Sequence, residues 1–478
     1  MSHSVGLAVF VLAVLAATCS ANKKIFCYFS SSAQYKSGIG KFLPENIEPS
    51  LCTHVIFAFV DVVHGYKLEP SNWNDLGSDG LYARTVALKK KNPRLKVLLA
   101  VGGWFVGSEP FVSMISNVLN RKAWVANVVK FLRLHGFDGL DMDWEFPGVR
   151  GSPPEDKYRF TTLMREIQDA FKRESWQSRK EKLILTLATA AGTYYISHAY
   201  EPEKIVHTVD YMLLMTYNYH GQWENTTGHH SGLYPNNLDR SAKERALCVE
   251  WSVKYWLGKG MSRERLIMGI ATYGMSYTLK SQWQNGIKAP AYGAGAKGKY
   301  TNEKGILSYP EVCENIRNGW KKVDIPEQYA PYATGGNQWV GYEDVNSVRV
   351  KAEYLMKHNL AGAFIWSVEM DDFTGHCGQG RYPLLSKIYS VLNKRSSWTK
   401  PVSKPIPAPQ KPNIAAAPAD NVKCWSKGLK SDPASCSGFY VCVALPNGSF
   451  AKARGSCPSP YAFDYPSQSC VNVWGRCG

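Results

Sequence analysis

Three carboxylates in one short run carry the clearest chemical potential in this chain: Phe137-Asp138-Gly139-Leu140-Asp141-Met142-Asp143-Trp144-Glu145-Phe146-Pro147. Leu140, Met142 and Trp144 alternate with Asp141, Asp143 and Glu145, so an extended strand here has one apolar face and one acidic face. Consecutive acids on that face lie about 6.6 Å apart. Like charges at that spacing, drawn partly out of water, cannot all ionise, and at least one proton is retained. Glu145 is last in the run and nearest the open end of the strand. It is therefore placed to keep that proton and act as a general acid. Asp143 is the neighbour that shares the proton, and Asp141, deeper, tunes Asp143. Asp138 has the other parity and reads as structural. Clustered acids also bind calcium, but calcium ligands come from a flexible loop with a central glycine. A stiff run ending Trp-Glu-Phe-Pro offers no such loop. No metal and no cofactor is expected.

Such a strand needs a scaffold that buries it on both sides. Apolar runs recur between helical patterns along the chain: KIFCYF, THVIFAFV, KVLLAVGG, FDGLDMDWE, LILTLATAA, YMLLMTYN, LIMGIATYG and AGAFIWSVEMDD. Runs apolar on both faces, alternating with helices, predict a buried parallel sheet. Eight of them predict an α/β fold, a TIM (β/α)8 barrel. Between the seventh and eighth runs, roughly residues 275–350, the sequence is rich in turns and aromatics (YGAGAKGKY, YATGGNQWVGYED), which predicts a small α+β insertion. A doubly wound open sheet is the alternative, but no GxGxxG loop follows a strand. Barrel active sites lie at the C-terminal ends of the strands. Polar and aromatic residues gather there: Trp104, Asp141 to Glu145, Tyr217 and Asn218, Tyr273, and Trp366 to Asp372.

The remaining segments predict location and domain plan. The apolar run Val5 to Ala17, followed by Cys19, Ser20 and Ala21, reads as a signal peptide over residues 1–21. It is short for a membrane span, and no later stretch reaches the roughly 18 apolar residues a span needs. The barrel is expected over residues 22–395. Residues 396–422 hold prolines at 401, 405, 407, 409, 412 and 418 and few large apolar side chains, the composition of an extended linker. Residues 423–478 hold six of the twelve cysteines: Cys424, Cys436, Cys442, Cys457, Cys470 and Cys477. A segment that short cannot stabilise itself by burial alone, so a small disulfide-rich β module is expected, with its pairing open. In the barrel, Cys27, Cys52, Cys313 and Cys377 are expected in disulfides. Cys248, within the helical pattern AKERALCVEWSVKYWL, is left unpaired. The net charge of +17 comes from scattered Lys and Arg, a solvated basic surface rather than a nucleic-acid face. The expectation is an extracellular monomer with neither a nucleic-acid nor a membrane partner.

The stretch Asp138 to Glu145, DGLDMDWE, resembles the DxxDxDxE signature of glycoside hydrolase family 18, the chitinases. Val101-Gly102-Gly103-Trp104, Met215-Thr216-Tyr217, Tyr273-Gly274, Trp366 and Asp371-Asp372 resemble further motifs of that family. The resemblance covers residues 22–395 and points to animal chitinases of the chitotriosidase and acidic mammalian chitinase kind. It implies a secreted, endo-acting hydrolase of β-1,4-N-acetylglucosamine linkages in chitin and chito-oligosaccharides, working by substrate-assisted retention. It implies that Glu145 protonates the glycosidic oxygen, Asp143 orients the acetamide, Asp141 supports Asp143 and Tyr217 binds the acetamide carbonyl. Tyr28, Trp104, Met215, Asn218, Trp223, Tyr273 and Trp366 would contact the sugars, with Trp73 a weaker candidate. The six C-terminal cysteines resemble a peritrophin-A type chitin-binding domain, carbohydrate-binding module family 14. Inactive, lectin-like relatives of the barrel commonly lose the glutamate, which is present here. The chain departs from the family pattern at Asn218 (for Asp), Met275 (for Arg), Phe146 (for Tyr), Phe105 (for Asn) and Ser32 (for Trp).

Overall fold

The alternation in the apolar runs is realised as a closed barrel. The computed structural model describes residues 23–63 and 66–393, together with five short backbone strands between 428 and 472 and the side chains of Tyr440 and Cys442. The barrel strands are β1 Lys24–Ser30, β2 His54–Val63, β3 Lys96–Gly102, β4 Gly139–Asp143, β5 Ile184–Thr189, β6 Tyr211–Leu214, β7 Leu266–Ala271 and β8 Gly362–Trp366. One falls in each of the eight runs. Each pairs in parallel with the next, and β8 pairs with β1 to close the ring.

Strand parity sorts the side chains into two layers. Phe26, Ile56, Leu98, Leu213, Ile267 and Phe364 fill the barrel interior. Ile25, Cys27, Phe29, Val97, Leu99, Val101, Leu140, Met142 and Trp144 face outward into the layer under the helices. Each such side chain contributes about 1.5–3 kcal/mol by leaving water, so a register slip that inverted one strand would be costly. The helices carry matching stripes. In the helix Asp156–Ser178, Phe160, Leu163, Met164, Ile167 and Phe171 are buried at spacings of three and four. The helix Val118–His135 starts at Asn117, whose side chain accepts from the backbone N–H of Leu119 and Asn120, and stops at Gly136 in the left-handed conformation.

Strand β4 is shorter than its sequence run. It ends at Asp143, where the N–H of Gly103 donates to the Asp143 carbonyl (2.7 Å). Trp144 and Glu145 lie past the last paired residue, because β3 has already ended. The Gly102-Gly103 pair serves that close approach. Both residues have positive φ (113° and 88°), and a Cβ on Gly102 would stand 2.3 Å from the Asp143 carbonyl oxygen.

Between β7 and β8 the chain forms a six-stranded antiparallel sheet from Tyr273–Leu279, Ala291–Ala294, Ile306–Ser308, Lys321–Ile325, Ala330–Gly335 and Gln338–Gly341, with the helix Tyr309–Arg317. Disulfides join Cys27 to Cys52 and Cys313 to Cys377, while Cys248 is buried and free. Burial pushes its thiol up to about 11, which keeps it unreactive.

The chain divides into two compact units after Ser397. In the second, Gly428–Ser431, Gly438–Ala444 and Phe450–Ser456 form one antiparallel sheet, and Tyr461–Asp464 pairs with Ser469–Asn472. Tyr440 and Cys442 are buried, and Cys442 is disulfide-bonded. The expected signal peptide, the proline-rich linker, and the side chains of Cys424, Cys436, Cys457, Cys470 and Cys477 lie outside the described residues. Among the described residues no helix is long and apolar enough to cross a membrane.

Candidate active site

Above the apolar floor of the barrel, the inward positions of β4 turn acidic. Asp141 is fully buried and has two hydroxyl donors: Tyr28 Oη from β1 reaches Oδ2 (2.7 Å), and Thr186 Oγ1 from β5 reaches Oδ1 (2.5 Å). Burial raises its pKa to about 6, and the two hydroxyls pull it back. Asp143 is also buried, and its Oδ1 has no hydrogen-bond partner. Burial, and then the charges of Glu145 and Asp141, hold it well above the usual carboxylate range. Leaving a buried acceptor unpaired costs on the order of 1–3 kcal/mol. That cost is recovered when a donor enters the site. Glu145 is half-buried at the mouth. Burial raises it to about 7, and the Arg150 cation pulls it down. Asp143 is the member of the three that feels the charges of both others. The acidic face therefore exists as its spacing predicts, although Glu145 stands beyond the strand.

Asp138 points elsewhere, into an ion pair with Lys89 (2.6 Å) and a bond from the Val97 N–H. Asp371 and Asp372 also face away from the barrel mouth. Asp371 accepts from the N–H groups of Leu384 and Leu385 at the start of the helix Pro383–Leu392, and Asp372 accepts from those of His376 and Cys377. Their place in the strand-eight motif is structural.

Aromatic side chains surround the acids. Tyr217 is buried beyond β6, with its ring 6.1 Å from that of Tyr273 and 5.9 Å from that of Phe364. Burial, and then Tyr273 and the charges of Asp143, Glu145 and Asp141, hold its hydroxyl pKa far above neutrality, so it keeps its proton and is available as a hydrogen-bond donor. Tyr273 donates to Asn218 Oδ1 (2.5 Å). Asn218 holds φ at 57°, a conformation that asparagine tolerates better than most residues. Met215 is half-buried between the inner and outer layers. Trp366, at the end of β8, tilts against Tyr28 (5.3 Å) and Phe59 (5.9 Å). Trp104, Trp223 and Trp73 stand in water, 46%, 60% and 87% exposed. The rings of Trp223 and Trp73, and the face of Trp104 not covered by Arg150, are available to stack on sugar faces.

Sequence reasoning missed Thr186, Phe59 and Arg150. Thr186 had a signal: with Ala188 it occupies the inward parity of β5, and a hydroxyl there must find a buried partner. Phe59 had none, since it reads as one more apolar residue of its strand. Arg150 sits in a loop whose path only the tertiary structure defines.

Residues 24–371 match the family described as glycosyl hydrolases family 18. The chain belongs to that family. It is 40% identical to chitotriosidase-1 of Mus musculus over 94% of its own length and 95% of the relative's. A solved structure of human YKL-39, described as a pseudo-chitinase that retains chitooligosaccharide binding, superposes with a TM-score of 0.74 at 40% identity, over 77% of this chain and 99% of that one. The Group IV chitinase of Ostrinia furnacalis in complex with allosamidin gives a TM-score of 0.74 at 34% identity, over 78% and 99%.

The departures from the family 18 pattern take distinct places. Phe146 is buried against Tyr195 (4.5 Å), and Met275, on the insertion strand Tyr273–Leu279, packs onto the cluster that fills the barrel interior. Phe105 is 89% exposed, and Ser32 lies on a short 3-10 helix with its hydroxyl near that of Ser30. Asn218 is tied to the surroundings of Glu145 through Tyr273. Its partner Tyr273 feels the Glu145 charge, so an aspartate at 218 would add a negative charge near the glutamate without losing the Tyr273 bond. Asn218→Asp is therefore expected to raise the Glu145 pKa and move the basic limb of the kcat/KM profile upward by about half a pH unit. Superimposable limbs for the two proteins would refute it.

Proposed function

We propose that the protein is a secreted chitinase that hydrolyses β-1,4-N-acetylglucosamine linkages by substrate-assisted retention. One observation carries the reading: an unpartnered acceptor on Asp143 lies directly beneath a glutamate whose pKa is near 7, at the open end of a barrel. The acceptor suits the N–H of a 2-acetamido group. With that N–H held, the acetamide carbonyl oxygen is aimed at the anomeric carbon. Glu145 gives its proton to the glycosidic oxygen as the C–O bond breaks, and the carbonyl oxygen closes an oxazolinium ring on the same sugar. The negative charge of Asp143 stabilises the cation, and the Tyr217 hydroxyl donates to the reacting carbonyl oxygen. Glu145, now a carboxylate, takes a proton from water as the water opens the ring. Two displacements at one carbon retain its configuration. Asp141, fixed by Tyr28 and Thr186, holds a second carboxylate whose charge acts on Asp143.

The two disulfides of the barrel support an oxidising compartment and hence secretion, as does the apolar run Val5 to Ala17. A second reading, a chito-oligosaccharide binder without hydrolysis, is favoured by the likeness to a pseudo-chitinase. Product release from a chitin tetramer by the wild type and by Glu145→Gln separates the two. Release by the wild type alone supports the chitinase, and release by neither supports the binder.

Residues 423–478 are proposed as a chitin-binding module that raises the effective concentration of the barrel at an insoluble surface. Deleting residues 396–478 is then expected to spare kcat/KM on soluble oligomers and to lower the rate on solid chitin by about tenfold or more. Equal loss on both substrates would refute the tether.

A further inference from the structure

Arg150 occupies a position that the proposed chemistry does not use. It lies in the loop after Glu145 with φ at 53°, in the left-handed region that few arginines adopt. The loop is pinned by bonds from Ser108 Oγ and the Ser152 N–H to the Val149 carbonyl. From there the guanidinium lies 3.6 Å above the ring of Trp104, and its Nη1 donates to the backbone carbonyl of Glu145 (2.7 Å). Trp104 follows β3 and Glu145 follows β4. One side chain thus ties together the ends of two adjacent strands at the barrel mouth, with a stacking contact and a charge-assisted bond each restricting it.

The other groups that act on Glu145 or respond to it are acids and phenols. Asp143 and Asp141 lie beneath it. Tyr195 comes from the helix Thr193–Ala199, Tyr200 follows that helix, and Tyr217 and Tyr273 face it from the far side of the barrel. Burial holds all four phenols above their usual range, so they are neutral wherever the enzyme works. Among the described residues, Arg150 is the cation that acts on the acid.

We propose that Arg150 is a positioning residue of this active site: its guanidinium, held between the Trp104 ring and the Glu145 carbonyl, fixes a positive charge beside the acid and sets the basic limit of the reaction. The proposal rests on Glu145 being the acid. The sign is determined by the role. A general acid must be protonated, so activity falls as pH rises through its pKa. A fixed cation favours the carboxylate and brings that fall to lower pH.

The test is the pH dependence of kcat/KM on a soluble chitin tetramer for the full-length wild type, Arg150→Gln and Arg150→Lys. Arg150→Gln is expected to move the basic limb upward by about 0.5–1 unit. Arg150→Lys is expected to return it most of the way, because the charge is restored although the planar fork is not. Superimposable limbs for the wild type and Arg150→Gln overturn the proposal. So does a lysine variant displaced as far as the glutamine one. Carbon-13 NMR titration of the Glu145 carboxyl, assigned by its absence in Glu145→Gln, reads the same shift without turnover. A wild type that released no product would sink the hydrolase reading, and the NMR titration would still decide whether Arg150 controls this carboxyl.

Discussion

Glu145→Gln is expected to lower kcat on a chitin tetramer by about 10³-fold or more, a barrier increase of about 4 kcal/mol, and to leave the Kd for the same oligomer within about threefold. The amide has the size of the carboxylic acid and can donate a hydrogen bond, but it has no proton to give to the leaving oxygen. Binding persists because the apolar contacts of the groove, Trp366 against Tyr28 and Phe59 and the exposed faces of Trp104 and Trp223, are untouched. The protein also loses one member of a repelling set of acids, so the substitution does not threaten the fold. Single-turnover product release and calorimetric binding measure the two halves of the prediction. A variant retaining more than about a tenth of the wild-type rate would remove Glu145 from the acid role.

Asp143→Asn is expected to cost about 10²–10³-fold in kcat with little change in KM. The side-chain oxygen of asparagine still accepts the acetamide N–H, so the ground state is held. It carries no charge to set against the oxazolinium cation, so the loss falls on the transition state. A second signature separates this from a general loosening of the site. In the wild type burial first, and then the charges of Glu145 and Asp141, raise the pKa of Asp143. Coupling of that kind is mutual, so removing the aspartate charge lowers the Glu145 pKa and moves the basic limb to lower pH. A rate loss with an unmoved limb would mean that Asp143 does not sense Glu145. A limb moved upward would reverse the assignment of roles.

Much of this site was legible because it is written at period two on strands. The run from Leu140 to Glu145 separates apolar from acidic residues wherever an extended chain is formed, and the eight apolar runs each contain one strand of the barrel. The short end of β4 was not legible, because strand length depends on where β3 stops. The structural role of Asp371 and Asp372 was hidden for a similar reason. Their partners are N–H groups of the next helix and turn, and residue type alone does not show which way a carboxylate at a strand end will turn.

The amino-acid sequence by itself determined the parity of each strand, and with it the acidic face and the apolar layers, since alternation is a property of neighbouring residues in one chain. Only the tertiary structure decided what those acids experience. Tyr28 and Thr186 reach Asp141 across 113 and 45 residues of sequence, and Arg150 reaches Trp104 across a barrel rim. Closure of the barrel removes the water that would otherwise screen three negative charges, and that loss of solvent raises their pKa values into the range where one of them holds a proton.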